Sequence, residues 1–243
     1  MSASDEQRAR AALALTDPDC QSSELAPLER RDADERRAQV LDAMNEAALP
    51  GTLRNRVLAR RAALWASLAW QRARLGADAH AAAERALLSL EAIDKAQLAE
   101  GDRRAYREAA LRVHASRWAL AGAPSPVPEK APHVVTVPGE DGRTCVLLVD
   151  SRNGMARPLA KRCTYALVWS ASAALNKQGT ALALAVQPTD AWRELWVFRK
   201  TKVGWQVRIV PPAAVDPRVG YAEFAGWARD GRMRIAREAI ADG

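Results

Sequence analysis

Four prolines within nine residues, Pro124, Pro126, Pro128 and Pro132, interrupt the chain near its middle. Each fixes φ and lacks a backbone N–H, so no helix or sheet interior can run through this stretch, which should be extended. The texture differs on its two sides. Before it, apolar residues recur at helical spacing; after it, short β-branched or alternating segments are separated by turn residues. The chain therefore reads as α+β. A helical domain at 1–121, built as antiparallel hairpins or a bundle, has residues 1–35 partly disordered. A proline-rich linker follows at 122–132, and then a mainly antiparallel β-sheet domain at 133–243, partial propeller-like or a sandwich.

The helical half has four readable segments. Arg36 to Leu49 puts Val40, Met44 and Ala47/Ala48 on one stripe before Pro50-Gly51 stops it. Thr52 can cap the next helix, in which Leu53, Val57, Leu64 and Leu68 form one stripe and Leu58, Trp65 and Ala69 a second. Two stripes mean a wide buried face and a central helix. Gly76 ends it, Asp78 can cap a third helix with Ala79, Ala83, Ala86, Leu87 and Leu90, and Asp102 a fourth with Tyr106, Ala109/Ala110, Val113 and Leu120 inward. Gly122 supplies the last stop. Small alanine faces let helices approach closely, which suits antiparallel hairpins.

In the second half, Thr144–Val149 and Thr180–Val186 are apolar on both faces and belong inside a sheet. Arg152-Asn153-Gly154-Met155 and Arg229-Asp230-Gly231-Arg232 read as hairpin turns whose glycines take positive φ. Trp192–Arg199 and Val203–Val210 flank Lys200-Thr201-Lys202 as a further hairpin. Its register is not fixed by the pattern, so the inward members of Trp196, Phe198 and Trp205 are not assigned.

Two stretches resemble known repeats. RAALWASLAWQRARLG and AAAERALLSLEAID, within Arg60–Asp94, resemble one tetratricopeptide helix–turn–helix without its tyrosines. A single repeat cannot stack into a solenoid, so an ordinary helical hairpin is expected. FAGWARDGRMRIARE (Phe224–Glu238) and the longer Val168–Lys200 resemble strand units of bacterial β-propeller repeats, with an aromatic, a turn and a strand in order. They start at Trp169 and Trp227, 58 residues apart, with room for about one four-stranded blade, whereas closure typically takes four or more. The C-terminal half as a whole also resembles an uncharacterised bacterial protein family of unknown function, which implies no activity. The strand Arg232–Glu238 stands at the end of this pattern without its expected partner, which implies self-association through a C-terminal edge strand.

The net charge of +7 is uneven: residues 1–120 carry 19 basic and 18 acidic side chains, residues 121–243 carry 17 and 11. The surplus sits on the β half, which makes nucleic acid or another anionic surface a candidate partner. Only six of the 36 basic residues are lysine and the charges alternate with acids, so ordinary arginine usage competes with that reading. The longest apolar stretch, Ala62–Trp70, is too short to span a membrane. MSASDEQRARAALALT lacks the apolar core of a secretory signal, so the expectation is cytoplasmic, with periplasmic export the alternative if the true start differs or is processed.

Tests for chemistry give no catalytic, cofactor-binding or metal-binding residue and no cofactor. His80, His114 and His133 are far apart, and no cysteine pair has zinc spacing. Asp150-Ser151-Arg152-Asn153-Gly154 has arginine where a calcium ligand belongs. Neither a nucleophile elbow nor a phosphate loop occurs. Cys145 and Cys163 lie nine residues either side of Gly154, so a hairpin about that turn would set them opposite each other as a candidate disulfide, against two small buried thiols. Five of eight tryptophans fall in the β half beside arginines. Trp192, Trp196, Trp205, Arg193, Arg199 and Arg208 are thus candidate binding-surface residues, set against ordinary core packing of the rings. The expected function is a non-enzymatic protein-interaction or structural module with an unidentified protein partner. The alternatives are nucleic-acid or anionic-surface binding through the basic β half, and an enzyme whose site is not visible in sequence.

Overall fold

The structure, a computed structural model, describes residues 4–20, 25–121, 130–214 and 219–240. The fold is α+β: helices fill the N-terminal half and strands the C-terminal half. The chain divides into two compact units, Met1–Leu120 and Ala121–Gly243. Pro124, Pro126, Pro128 and the predicted stop at Gly122 lie outside the described residues. No described helix is long and apolar enough to cross a membrane.

Among the described residues of the first unit there are five α-helices: α1 (Asp5–Leu15), α2 (Pro27–Asp42), α3 (Gly51–Arg74), α4 (His80–Glu91) and α5 (Arg103–Ala115). α3 is central, touching each of the other four described helices. Both of its predicted stripes face inward, with Leu53, Val57, Leu58, Trp65, Leu68 and Ala69 buried and Leu64 half-buried. Gly76 ends it at φ +70°, with the Ala77 N–H donating to the Arg72 carbonyl at 2.9 Å and the Gly76 N–H to the Ala73 carbonyl at 3.1 Å. This is a Schellman closure, in which a left-handed glycine satisfies the last carbonyls. Asp78, one residue before the N-cap Ala79, accepts from the His80 N–H at 2.9 Å at the start of α4.

Within residues 1–35 the described residues include α1 and the start of α2; Ser4 and Gln7 exchange reciprocal side-chain and backbone hydrogen bonds that start α1. Its buried face consists only of Ala9 and Ala12, too weak an apolar signal to read. α2 starts at Pro27, where a missing N–H costs nothing, and stops at Asp42 rather than running from Arg36 to Leu49. Ala38 and Leu41 point inward while Val40 is 38% exposed, so the predicted Val40 stripe is out of phase.

The described residues of the second unit form nine strands in two sheets. β1 (His133–Pro138), β2 (Thr144–Val149) and β3 (Ala160–Thr164) form an antiparallel sheet in that order. β4 (Leu167–Leu175), β5 (Ala181–Thr189), β6 (Trp192–Thr201), β8 (Gly220–Trp227) and β9 (Met233–Ala239) form the other, with β7 (Gly204–Val210) also on β6. Val146 and Leu148 meet Leu182, Leu184, Val186, Trp196 and Phe198 between the sheets. β1 lies beside β4 and β3 beside β7, so the sheets adjoin at both lateral margins. The β8–β9 hairpin covers the opposite face: Phe224, Trp227 and Met233 pack on Ala183, Leu195 and Val197. That double covering explains why β5 is apolar on both faces.

Gly231 takes φ +78° in the β8–β9 turn, as its sequence requires. Gly154 does not adopt positive φ. The turn there is instead held by the Asp150 carboxylate, which accepts from the backbone N–H groups of Arg152 and Asn153 at 2.9 and 2.8 Å.

Candidate functional site

The β6–β7 hairpin carries the most distinctive polar surface of the β unit. Thr201 pairs with Gly204, leaving Lys202 and Val203 as a two-residue turn instead of the predicted Lys200-Thr201-Lys202 loop. That register sets Arg199 opposite Gln206 and Arg208 opposite Val197. Opposite residues share a face and alternate along a strand. Arg199, Thr201, Gln206 and Arg208 therefore stand on the outer face, while Phe198, Trp196, Trp205 and Val207 pack toward the inter-sheet core.

On that outer face, β8–β9 covers Leu195 and Val197 and leaves Arg199 exposed. An open groove of about 210 Å³ remains, lined by Arg199, Lys200, Thr201, Gln206 and Arg208. No described acidic side chain lies within ion-pair distance of Arg199, Lys200 or Arg208. Two cations, Arg199 and Arg208, thus share one concave surface with a hydroxyl and an amide, while Lys200, opposite Trp205 in the register, lines the groove from a strand position of the other face. None of the lining side chains is aromatic or acidic.

The other candidate binding residues go elsewhere. Trp192 and Trp196 are 4% and 2% exposed, and Trp205 is half-buried against the inter-sheet core, so these rings are packing elements rather than a binding face. Arg162 on β3 lies over the Trp196 ring, 5.0 Å from its centroid. Arg193 has no solvent exposure; it is ion-paired with Glu223 and stacked 5.4 Å from the Tyr221 ring centroid. β8 runs parallel beside the start of β6, pairing Trp192 with Gly220 and Arg193 with Tyr221, and this brings the counter-charge to Arg193. Of six candidate surface residues, only Arg199 and Arg208 remain exposed on the groove. Lys200, Thr201 and Gln206 join them; alternation across the hairpin would have found Gln206 once the turn was fixed at Lys202-Val203.

Cys145 and Cys163 face each other across β2 and β3 and are joined as a disulfide, with Cys20 an exposed thiol. Among the described residues no three His, Cys, Asp or Glu side chains gather as a metal cluster. Electrostatic perturbation is local. Burial pushes the Tyr221 hydroxyl above its usual range, helped by the charge of nearby Glu238. The Asn153 side-chain amide holds the Asp150 carboxyl below the usual carboxylate range, and the Arg232 backbone N–H does the same for Asp230.

No protein-family model, curated protein or solved structure matches this chain.

Proposed function

We propose that this chain is a non-enzymatic binding module whose β unit docks an acidic segment of a protein partner on the outer face of the β6–β7 hairpin. The observation that carries this reading is the groove on which Arg199 and Arg208 converge without an acidic partner among the described residues. Arg and Lys supply donors and positive charge but no acceptor, so the groove suits carboxylates. The partner side chains Gln206 and Thr201 add neutral hydrogen bonding. Lack of an aromatic among the lining residues favours an acidic protein segment over single-stranded nucleic acid, whose bases are held by stacking. A disulfide supports residence in an oxidising compartment.

The test is fluorescence anisotropy of the full chain with a labelled poly-glutamate peptide and, separately, a labelled oligothymidine of matched charge. Poly-glutamate should bind, weaken steeply as salt rises, and lose on the order of tenfold in affinity in the Arg199→Ala/Arg208→Ala variant. Tighter, strongly salt-dependent binding of the oligothymidine moves the reading to nucleic acid. Binding of poly-glutamate that is unchanged in the double variant, or no binding of either probe at low salt, overturns it.

A further inference from the structure

β9 ends the larger sheet: its one strand neighbour among the described residues is β8. Five consecutive residues, Arg234–Glu238, are exposed, so neither face of the strand is covered over that span. The direction of its backbone groups follows from the register. Residues 219–224 stand directly opposite 240–235, and the Ile240 N–H donates to the Val219 carbonyl at 3.0 Å. Antiparallel pairs alternate between hydrogen-bonded and non-hydrogen-bonded. Glu238 and Ala236 therefore turn their N–H and C=O groups toward β8. Past the bulge the Ala228 N–H donates to the Arg232 carbonyl at 2.8 Å, which gives Arg234 the same inward direction. Met233, Ile235, Arg237 and Ala239 consequently present theirs outward, away from the sheet.

We infer that this edge binds the same edge of a second copy, as an antiparallel pair centred on Ala236. Only registers that match outward residues with outward residues can exchange hydrogen bonds. Centring on Arg237 puts that arginine against its own copy, and centring on Ile235 shortens the overlap and removes Arg234 from Glu238. Centring on Ala236 uses the whole strand, sets Ile235 against Arg237 as the hydrogen-bonded pair, and sets Arg234 against Glu238 of the other copy twice. Those two charge pairs occupy non-hydrogen-bonded positions, where opposite side chains come closest. Arg237 meanwhile donates to the Pro211 and Pro212 carbonyls of its own chain at 2.7 and 2.8 Å, which holds its charge away from the seam. Such a contact is isologous, so it closes as a dimer instead of propagating as a filament. It does not depend on the basic groove.

Charge exchange tests the register. Sedimentation velocity of the full chain over about 5 to about 500 μM should show a monomer–dimer equilibrium, in the weak range expected of a small interface. Arg234→Glu and Glu238→Arg each place like charges opposite each other, and each alone should weaken dimerisation several-fold or more. An equimolar mixture of the two should associate again, because glutamates at both positions then meet arginines at both. The double variant carrying both changes should also recover dimerisation. Circular dichroism of each single variant checks that β8–β9 is intact. A wild-type chain that stays monomeric throughout the range overturns the inference, as do single variants that dimerise like wild type or a mixture that stays monomeric.

Discussion

The Arg193 guanidinium, with no exposure to solvent, is ion-paired with Glu223, 30 residues further along the chain. This pair fastens the start of β6 to β8, the one parallel contact among the described strands. Charges removed from water are tolerated only with close partners, and removing one partner of a buried pair costs about 3–5 kcal/mol. Arg193→Met and Glu223→Leu should each lower the urea midpoint of the β unit by that order. The double variant should recover much of the loss, because an apolar pair needs no counter-charge. A double variant as unstable as the sum of the singles would mean that the two residues act independently.

The Cys145–Cys163 bridge closes a loop of 18 residues between β2 and β3. Crosslinking a loop of that length restricts the unfolded chain by about 3 kcal/mol. Thermal melting with and without dithiothreitol, and of the Cys145→Ala/Cys163→Ala variant, should show a lower transition in both reduced forms. The denatured, non-reduced protein should titrate with one thiol, Cys20; three thiols would mean that the bridge does not form.

How much of this is legible in sequence depends on the range of the interactions involved. α3, β2 and β5 can be read because each is buried broadly enough for apolar periodicity to dominate the local pattern. The opposition of Cys145 and Cys163 can also be read, because it follows from symmetry about one turn. α1 is missed because its buried face is only Ala9 and Ala12, and α2 is read only over its last turns because its buried residues, Asp34, Ala38 and Leu41, give too sparse a stripe to place its start. Arg193 is misread as a surface cation because its partner Glu223 is distant and arrives through a parallel strand that local patterning does not announce. The groove falls between these cases: Arg199 and Arg208 stand out, but their shared face depends on the turn falling at Lys202-Val203 and not at Lys200-Thr201-Lys202.

In the helical unit, Asn55 is 2% exposed and satisfies both backbone groups of Asp94, donating to its carbonyl at 2.8 Å and accepting from its N–H at 3.1 Å. It thereby fixes the turn after α4 against the first turns of α3. Asn55→Leu removes both bonds, leaving the Asp94 carbonyl with the Gln97 N–H, and at a net contribution of about 0.5–1.5 kcal/mol each the two bonds are worth about 1–3 kcal/mol. The helical unit should melt lower by that order in urea followed at 222 nm. A surface control, Leu88→Asn, replaces a side chain that is 59% exposed and should change stability little.

Gly220 sits where β8 comes closest to its neighbours. A methyl group there would lie 2.6 Å from the Glu238 carbonyl oxygen and 2.9 Å from Cβ of both Ala239 and Pro212. The first obstacle is backbone of the paired strand, which cannot swing aside as a side chain can. Gly220→Ala should therefore cost about 1–3 kcal/mol through strain. Hydrogen exchange should locate the loss, with amide protection falling in β8 and β9 while β2 and β5 keep theirs. Uniform protection across all four strands would place the strain elsewhere.

Tyr221 gives the β unit an alkaline limit. Its ring lies under Arg193, and its hydroxyl is held neutral first by burial and then by the negative charge of Glu238, the Arg193 charge acting in the opposite direction. The folded pKa is thus raised above the unfolded value of about 10. A group whose folded pKa is raised binds its proton more tightly in the native state. Its contribution is complete below about pH 10 and is lost as pH climbs through the folded value. Urea midpoints of wild type should fall between about pH 9.5 and about pH 11.5, while Tyr221→Phe, with no proton to lose, should fall less over the same window. The difference between the two curves isolates this hydroxyl from the other tyrosines and the lysines. Parallel curves would mean that Tyr221 ionises in the folded chain as readily as in the unfolded one.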